Sequence, residues 1–373
     1  MMTSRQRVLA ALDRRKPDRI PLDGSFREGV WAGLEAHFGT TDEETIMEHL
    51  GLDVRYPQME PAAVFAEQAV PSPWPILDMG VGKRNLGILR DDGGFEDEYG
   101  VRRVPNSTGM YWLYSHHPLA EAGLEEVRKY RFPDPQLEER YRSLRSDVAR
   151  WGDDFFTVME IRNVFKLSWE LRGFERYMMD LASDPLLVEV LADRALEHLV
   201  ETSRHLVRSG LDMLMITGDI AMQESMMLSP RMWRKHFKPR LRIWLQEVRR
   251  ERDVRFMFHS DGNMTDVMED LIEIGFDAIT PIQPECMDVN EIKRRFGSRV
   301  CLHGTISCQK TLPFGTPGDV ADEVRRRIEG CGKDGGLILA PSNTVQPDVP
   351  LENVLALYRT ARGFSLRPDD PSG

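Results

Sequence analysis

Polar residues stand where apolar runs give way to turns: Asp23, Tyr56, Glu160, Asp219, His259, Gln283, His303 and the Ser342-Asn343 pair. Imidazoles and carboxylates gathered in one place can bind Zn²⁺ or a related divalent ion, and can move protons. The stretch Val254 to Asn263 shows the format most plainly. Mostly apolar residues run into His259, and Asp261-Gly262 then turns the chain into a helical pattern. Reactive side chains carried at the C-terminal ends of buried parallel strands are how barrel enzymes build their sites. Alternate strands of such a barrel feed one layer, so Asp23, Glu160, His259 and His303 are expected near one level. His259, His303 and Glu160 are therefore the metal candidates, and His259, Asp219 and Glu160 the catalytic ones. Asp23, Tyr56, Gln283 and Asn343 are expected to touch substrate.

Each of these residues also has a plainer reading. A polar residue that ends a strand often only caps the next helix, and a slip of one residue turns a side chain to the other face. Cys301 lies two residues before His303, so it points the same way one layer deeper and is expected in the core. Cys286 and Cys308 fall on loops near the mouth, with no diagnostic spacing. Methionines cluster around two of the strands (Met213, Met215, Met257 and neighbours), which suits core packing or an adaptable apolar pocket.

The elements that must position these groups alternate. Strands are expected at 19–24, 53–56, 155–160, 211–216, 254–259, 277–281, 299–303 and 336–340, each followed sooner or later by a helical pattern. Ser229-Pro230 opens one helix as cap and first-turn proline, and Pro239 is expected to kink it. Asp184-Pro185 restarts another. Strict alternation predicts a parallel sheet, and eight units allow closure into a (β/α)8 TIM barrel, an α/β fold. An open doubly wound sheet is the competing arrangement, but no Gly-x-Gly-x-x-Gly turn or P-loop follows the first strand. Residues 1–365 read as one barrel domain, 75–118 as a β-rich insertion broken by glycines, and 366–373 as a flexible tail.

Composition narrows the function classes. The chain has 373 residues, 41 % hydrophobic and 29 % charged, with a formal net charge of −11. That balance argues against a general nucleic-acid binder. The apolar runs are too short to cross a bilayer, and the N-terminus lacks the apolar core of a signal peptide. Four cysteines without a Cys-x-x-Cys pair do not form a secreted disulfide framework. No membrane, no nucleic acid and a cytoplasmic setting are the expectations.

Several landmarks together resemble the uroporphyrinogen decarboxylase superfamily. They are Arg5-x-x-Val8-Leu9-x-Ala11-Leu12 through Pro17-Asp18-Arg19-Ile20-Pro21, His259-x-x-Gly262, the Gly304 turn, and Pro347-x-x-Pro350-x-Glu352-Asn353. The resemblance spans nearly the whole chain and implies a (β/α)8 barrel. The decarboxylases of that family carry Arg-Gln-Ala-Gly-Arg after the first strand to hold substrate carboxylates. Here the stretch is Asp23 to Gly29, in which only Arg27 can stand in as a substrate-binding cation. The family's histidine ahead of the last helix is replaced by Asn343.

A second branch transfers methyl groups with corrinoid proteins and activates a thiol on zinc, through His-x-Cys and a later Cys. This sequence reads His259-x-Asp261 there, again with Asn343 at the later position, while Asp97-Glu98-Tyr99-Gly100 resembles a segment of that branch. Imidazole and carboxylate oxygens suit a harder, Lewis-acid site rather than thiol activation. The resemblance thus implies a methyltransferase moving a methyl group between a small methylated donor and a corrinoid carried by a partner protein, with Zn²⁺ as candidate metal and a homodimer as candidate assembly. Tetrapyrrole decarboxylation and a non-catalytic corrinoid- or tetrapyrrole-binding barrel are the alternatives.

Overall fold

The computed structural model describes residues 2–62, 65, 68–71, 86–91, 94–107, 112–364 and 366. The first helix, Ser4–Leu12, is capped reciprocally: the Thr3 side chain accepts from the Gln6 amide, and the Gln6 side chain accepts from the Thr3 amide. Two amides that a first turn leaves without partners are satisfied in this way. Helices Glu28–Phe38 and Glu43–Leu50 precede strand β1 (Val54–Arg55). Strands β2 (Val70–Pro71), β3 (Leu86–Leu89), β4 (Phe95–Glu96), β5 (Arg102–Pro105) and β6 (Trp112–His116) then form an antiparallel sheet in that order.

The strands that follow are β7 (Phe156–Arg162), β8 (Met213–Thr217), β9 (Arg255–His259), β10 (Ala278–Thr280), β11 (Cys301–His303) and β12 (Leu337–Ile338). They join β1 in a curled parallel sheet of order β1-β7-β8-β9-β10-β11-β12. Helices intervene between successive strands from β7 onward, so the molecule is an α/β fold.

Leu22 stands between the two edges of that sheet. It bridges Leu339 in parallel register, and its carbonyl accepts from the Asp53 amide at 2.8 Å. The Asp53 carboxylate, fully buried, accepts the Leu22 amide at 2.8 Å, Arg7 at 2.6 Å and Arg19 at 2.8 Å. Segment 20–23 contributes only a bridge to the ladder, and this carboxylate holds it in place.

Apolar side chains sort into two layers. Inside the curl, Val54, Phe156, Val158, Met213, Met215, Met257, Ala278, Cys301 and Ile338 pack with Val8, Ala11 and Leu12 of the first helix. Outside it, a larger core joins the sheet to the surrounding helices. Cys301 and the strand methionines are thus packed as expected, with Met213 and Cys301 fully buried.

Seven of the eight expected strands fall on observed ones with small shifts at their ends, while 19–24 forms only the Leu22 bridge, and one shift matters. Strand β7 continues two residues past Glu160, to Arg162. The Pro239 kink becomes a break at Phe237, which puts Pro239 in the first turn of the helix Lys238–Glu251. A missing N–H is tolerated there because first-turn amides have no partner within the helix. Asp184 caps the helix Pro185–Arg208 through the Leu187 amide. Of the expected insertion at 75–118, residues 75–85, 92, 93 and 108–111 lie outside the described residues, as do 367–373 of the expected tail.

The antiparallel sheet meets the parallel one around Glu170, in the helix Val164–Arg172. Tyr114 donates to Glu170 Oε1 at 2.7 Å, Arg103 lies 3.3 Å from the same oxygen, and Arg162 pairs with Oε2 at 2.8 Å. Burial opposes ionisation of this carboxyl, but Arg162, Lys166 and Arg103 outweigh it and hold the group down at about 2.

Two outcomes follow for stability. Asp53→Asn takes one partner from a buried ion-pair group and should cost about 3–5 kcal/mol in urea unfolding. A loss under about 1 kcal/mol, the size of an exposed pair, would mean that other contacts hold segment 20–23. The ionised Glu170 stabilises the fold fully above its ordinary value of 4.5, and that contribution is lost as pH falls from there toward 2. Thermal unfolding of Glu170→Gln should therefore lack this part of the wild-type acid dependence; parallel pH curves would contradict it.

Candidate active site

Strand register decides which side chains share a level. His259, at the end of β9, is paired with Thr217 of β8 and Thr280 of β10. Glu160 is paired with Met215, which is paired with Met257. Glu160 therefore lies two residues below His259, one layer deeper in the sheet. The extra length of β7 is the cause.

What meets His259 at its own level comes from the turns. Asp219 follows β8 through Gly218, and Asp261 lies two residues beyond His259. The Asp261 amide donates to Asp219 Oδ1 at 2.9 Å, and the Asn343 side chain donates to Asp261 Oδ2 at 2.7 Å. His259 Nε2 is 3.9 Å from Asp261 Oδ1. That oxygen is buried and accepts no hydrogen bond among the described residues, although the side chain as a whole is 38 % exposed. One potential ligand atom from each of Asp219, His259 and Asp261 falls within 4.8 Å of the others.

The turn that makes this possible admits only glycine. Gly262 has φ +87°, and a Cβ there would sit 2.4 Å from the Met222 carbonyl oxygen. Its amide donates to Gln283 Oε1 at 3.0 Å. Gln283, expected to touch substrate, thus supports the turn.

The electrostatics of the cluster are uneven. Burial raises the Asp261 carboxyl to about 6; His259 pulls it back, Asp219 pushes it up further, and Asn343 again lowers it. A buried oxygen without a hydrogen bond, next to an imidazole and a second carboxylate, is a strong acceptor for a proton or a cation.

A second group lines a cleft that His259, but neither Asp219 nor Asp261, also lines. Tyr56 donates to Asp23 Oδ2 at 2.5 Å, His303 Nε2 lies 3.0 Å from that oxygen, and His303 Nδ1 lies 2.7 Å from Thr280 Oγ1. Burial opposes ionisation of Asp23, yet the His303 contact, with Tyr56 and the Gly24 amide, brings its carboxyl below the usual carboxylate range. Burial and the Asp23 charge push the Tyr56 phenol well up. Both nitrogens of His303 are engaged, so this imidazole is a member of a hydrogen-bonded chain and not of the Asp219–His259–Asp261 cluster.

The cleft, about 510 Å³ with its open mouth, is lined by Asp23, Tyr56, Glu160, Met215, His259, Thr280, His303 and the segment 340–344, among others. It brings together the expected Asp23, Tyr56, Glu160, His259, His303 and Asn343. Arg27 is not in its wall: it is the N-cap residue of the helix Glu28–Phe38, and its amide donates to the Val345 carbonyl.

Of the expected metal residues His259, His303 and Glu160, only His259 belongs to the group that could hold an ion together among the described residues; its neighbours there are Asp219 and Asp261. Asp261 is the member that the sequence assigned to a turn, although the His259-x-Asp261 spacing carried the signal. Cys308 donates through Sγ to the Asn343 carbonyl at 3.2 Å, and neither it nor Cys286 belongs to the cluster.

Comparison with known proteins agrees with this architecture. The uroporphyrinogen decarboxylase family model matches residues 115–364, more than half of the chain. A methylcobamide:CoM methyltransferase, MtaA of Methanosarcina barkeri, is 28 % identical over 356 residues, covering 95 % of this chain and 96 % of that protein. A uroporphyrinogen decarboxylase of Methylococcus capsulatus is 22 % identical over 255 residues, or 65 % of this chain and 70 % of that one. Among solved structures, a methyltransferase from Methanosarcina mazei superposes with a TM-score of 0.67 over 97 % of this chain and 99 % of its own, at 19 % identity, a likeness of fold. The chain belongs to the uroporphyrinogen decarboxylase superfamily.

Proposed function

We propose that this protein is a methyltransferase that moves a methyl group between a small O- or N-methyl donor and a corrinoid carried by a partner protein. The observation that carries the reading is the Asp219–His259–Asp261 cluster with its unsatisfied Asp261 oxygen. The long match to a methylcobamide methyltransferase supports it. We take the scaffold as one (β/α)8 barrel domain over residues 1–365, with Leu22 as the eighth strand position and the antiparallel sheet as its insertion. The Leu22–Leu339 bridge and the Asp53 contacts support that closure. No helix among the described residues is long and apolar enough to cross a membrane. A cytoplasmic homodimer remains part of the proposal.

The residues fit a divalent ion. One imidazole and two carboxylates form an N,O donor set suited to Zn²⁺ or a similar ion, leaving other positions open. Such an ion, when bound, supplies Lewis-acid stabilisation to the heteroatom that gives up the methyl group. Asn343 orients Asp261, and the Asp261 amide orients Asp219. His303, held between Asp23 and Thr280, can keep a proton at Nε2 facing Asp23. Glu160, Met215 and Tyr56 shape the deeper wall of the cleft. Tetrapyrrole decarboxylation is less well served, because it needs several cations for several carboxylates and no Lys or Arg among the described residues lines the cleft.

Metal analysis of protein purified without chelator and supplied with zinc should give about one ion per chain. His259→Ala should lose it, and His303→Ala should keep it. No ion in the wild type, or equal loss in both variants, would remove the cluster as a metal site.

Asn343→Ala should weaken metal affinity or activity about 10- to 100-fold, the usual effect of losing a group that orients a ligand. Function itself is tested by following methylcob(III)alamin formation from cob(I)alamin with a panel of O- and N-methyl compounds. Turnover of a tetrapyrrole with no methyl transfer from any donor would sink the proposal.

A further inference from the structure

Thr280 ends β10 in register with His259 of β9. Registered residues of neighbouring parallel strands project to one face, and both of these side chains line the cleft. Thr280 therefore offers a hydroxyl at the level of the candidate metal ligand. Two other proton-bearing groups of the cleft are placed differently. Glu160 lies one layer deeper, and the Tyr56 hydroxyl is committed to Asp23.

A chain of groups stands behind the Thr280 hydroxyl. Its Oγ1 is 2.7 Å from His303 Nδ1, and His303 Nε2 is 3.0 Å from Asp23 Oδ2. Tyr56 donates to the same Asp23 oxygen, and the Gly24 amide donates to the other. Hydroxyl, imidazole and carboxylate in that order form a path along which protons pass, each group holding the next in orientation. With the Nε2 hydrogen on Asp23, two arrangements fit the same distances on the other side of the ring. Either Thr280 donates to a neutral imidazole, or an imidazolium donates through Nδ1 to Thr280 and frees the hydroxyl hydrogen for the cleft. A proton can pass between them without displacing a heavy atom. Burial opposes ionisation of Asp23, yet the His303 contact keeps its carboxyl below the usual range, so a negative charge is present to answer the imidazolium.

We infer that Thr280 gives a proton to the oxygen that loses its methyl group, and that His303 and Asp23 act through Thr280 as positioning residues. The inference rests on the methyl-transfer reading. In the step, the bond from the methyl carbon to oxygen breaks and its electron pair stays on oxygen. The electron pair of the corrinoid cobalt(I) forms the new bond to carbon. The oxygen takes the Thr280 hydrogen, Thr280 takes the Nδ1 hydrogen, and His303 is left neutral until a proton from solvent restores it. Methyl ethers need such a donor, because their oxygen otherwise leaves as an anion. A quaternary ammonium releases a neutral amine and needs none.

The test follows methyl transfer to cob(I)alamin by zinc-supplied protein from methyl ethers whose alcohols and phenols span a range of acidity, from 2-methoxyethanol to 4-nitroanisole. Tetramethylammonium serves as the donor that needs no proton. Thr280→Val should slow transfer from the ether with the most basic leaving oxygen by about 100-fold or more, the scale of a general acid. Its effect on 4-nitroanisole and tetramethylammonium should be smaller by about tenfold or more. His303→Gln should show the same slant, and Thr280→Ser should recover most of the rate. Metal content and thermal unfolding of each variant beside wild type separate loss of proton supply from loss of the site. Equal slowing of all donors, an undiminished rate of Thr280→Val on every ether, or transfer from tetramethylammonium alone would overturn the inference and leave methyl transfer standing. No transfer from any donor would overturn both.

Discussion

The carboxylate of Asp53 accepts the Leu22 amide, Arg7 and both terminal nitrogens of Arg19, all from a fully buried position. A charge so placed is tolerable only with its partners in position, so those partners are fixed with it. Segment 20–23 has few ladder bonds of its own and is placed by this group on one side and by Leu339 on the other. Asp23 comes next in the chain, and from it hang Tyr56 and His303. The geometry of one wall of the cleft is therefore set by a carboxylate outside the cleft.

The opposite wall depends on register instead. Parallel pairing of β8, β9 and β10 puts Thr217, His259 and Thr280 at one height. The turns that leave β8 and β9 can then meet through the Asp261 amide and Asp219. Two carboxylates and an imidazole come close without a bridging cation from the described residues, and burial raises the Asp261 carboxyl to about 6, so it is mostly ionised at neutral pH and takes up a proton just below it. The fold keeps this charge pattern rigid with Asn343, Gln283 and a glycine turn rather than relaxing it with a salt bridge.

Much of the scaffold was legible in the sequence because apolar runs bounded by turn residues report strands directly, and Ser229-Pro230 and Asp184-Pro185 report helix starts. The placement of His259, Asp219 and Asn343 near one another at strand ends was legible for the same reason. Glu160 was misplaced by a layer because no turn residue marks the end of β7: Ile161 and Arg162 continue the strand. The contact of His303 with Asp23 was not legible, because the two lie 280 residues apart, a pairing that local pattern cannot show. Asp261 was hidden by its neighbour, since Asp-Gly is a turn signal whether or not the aspartate has other work.

The first helix, described above as part of the inner apolar layer, also decides traffic. Val8, Ala11 and Leu12 fill the space beneath Met213, Met215 and Met257, so the floor of the curl is stoppered. Among the described residues, this leaves the end where the strands finish as the open approach to the cleft. If a small donor and a bulky corrinoid carrier both visit this site, they share a single doorway. The small molecule must be loaded before the carrier docks over it, and the demethylated product is released only once the carrier has moved away.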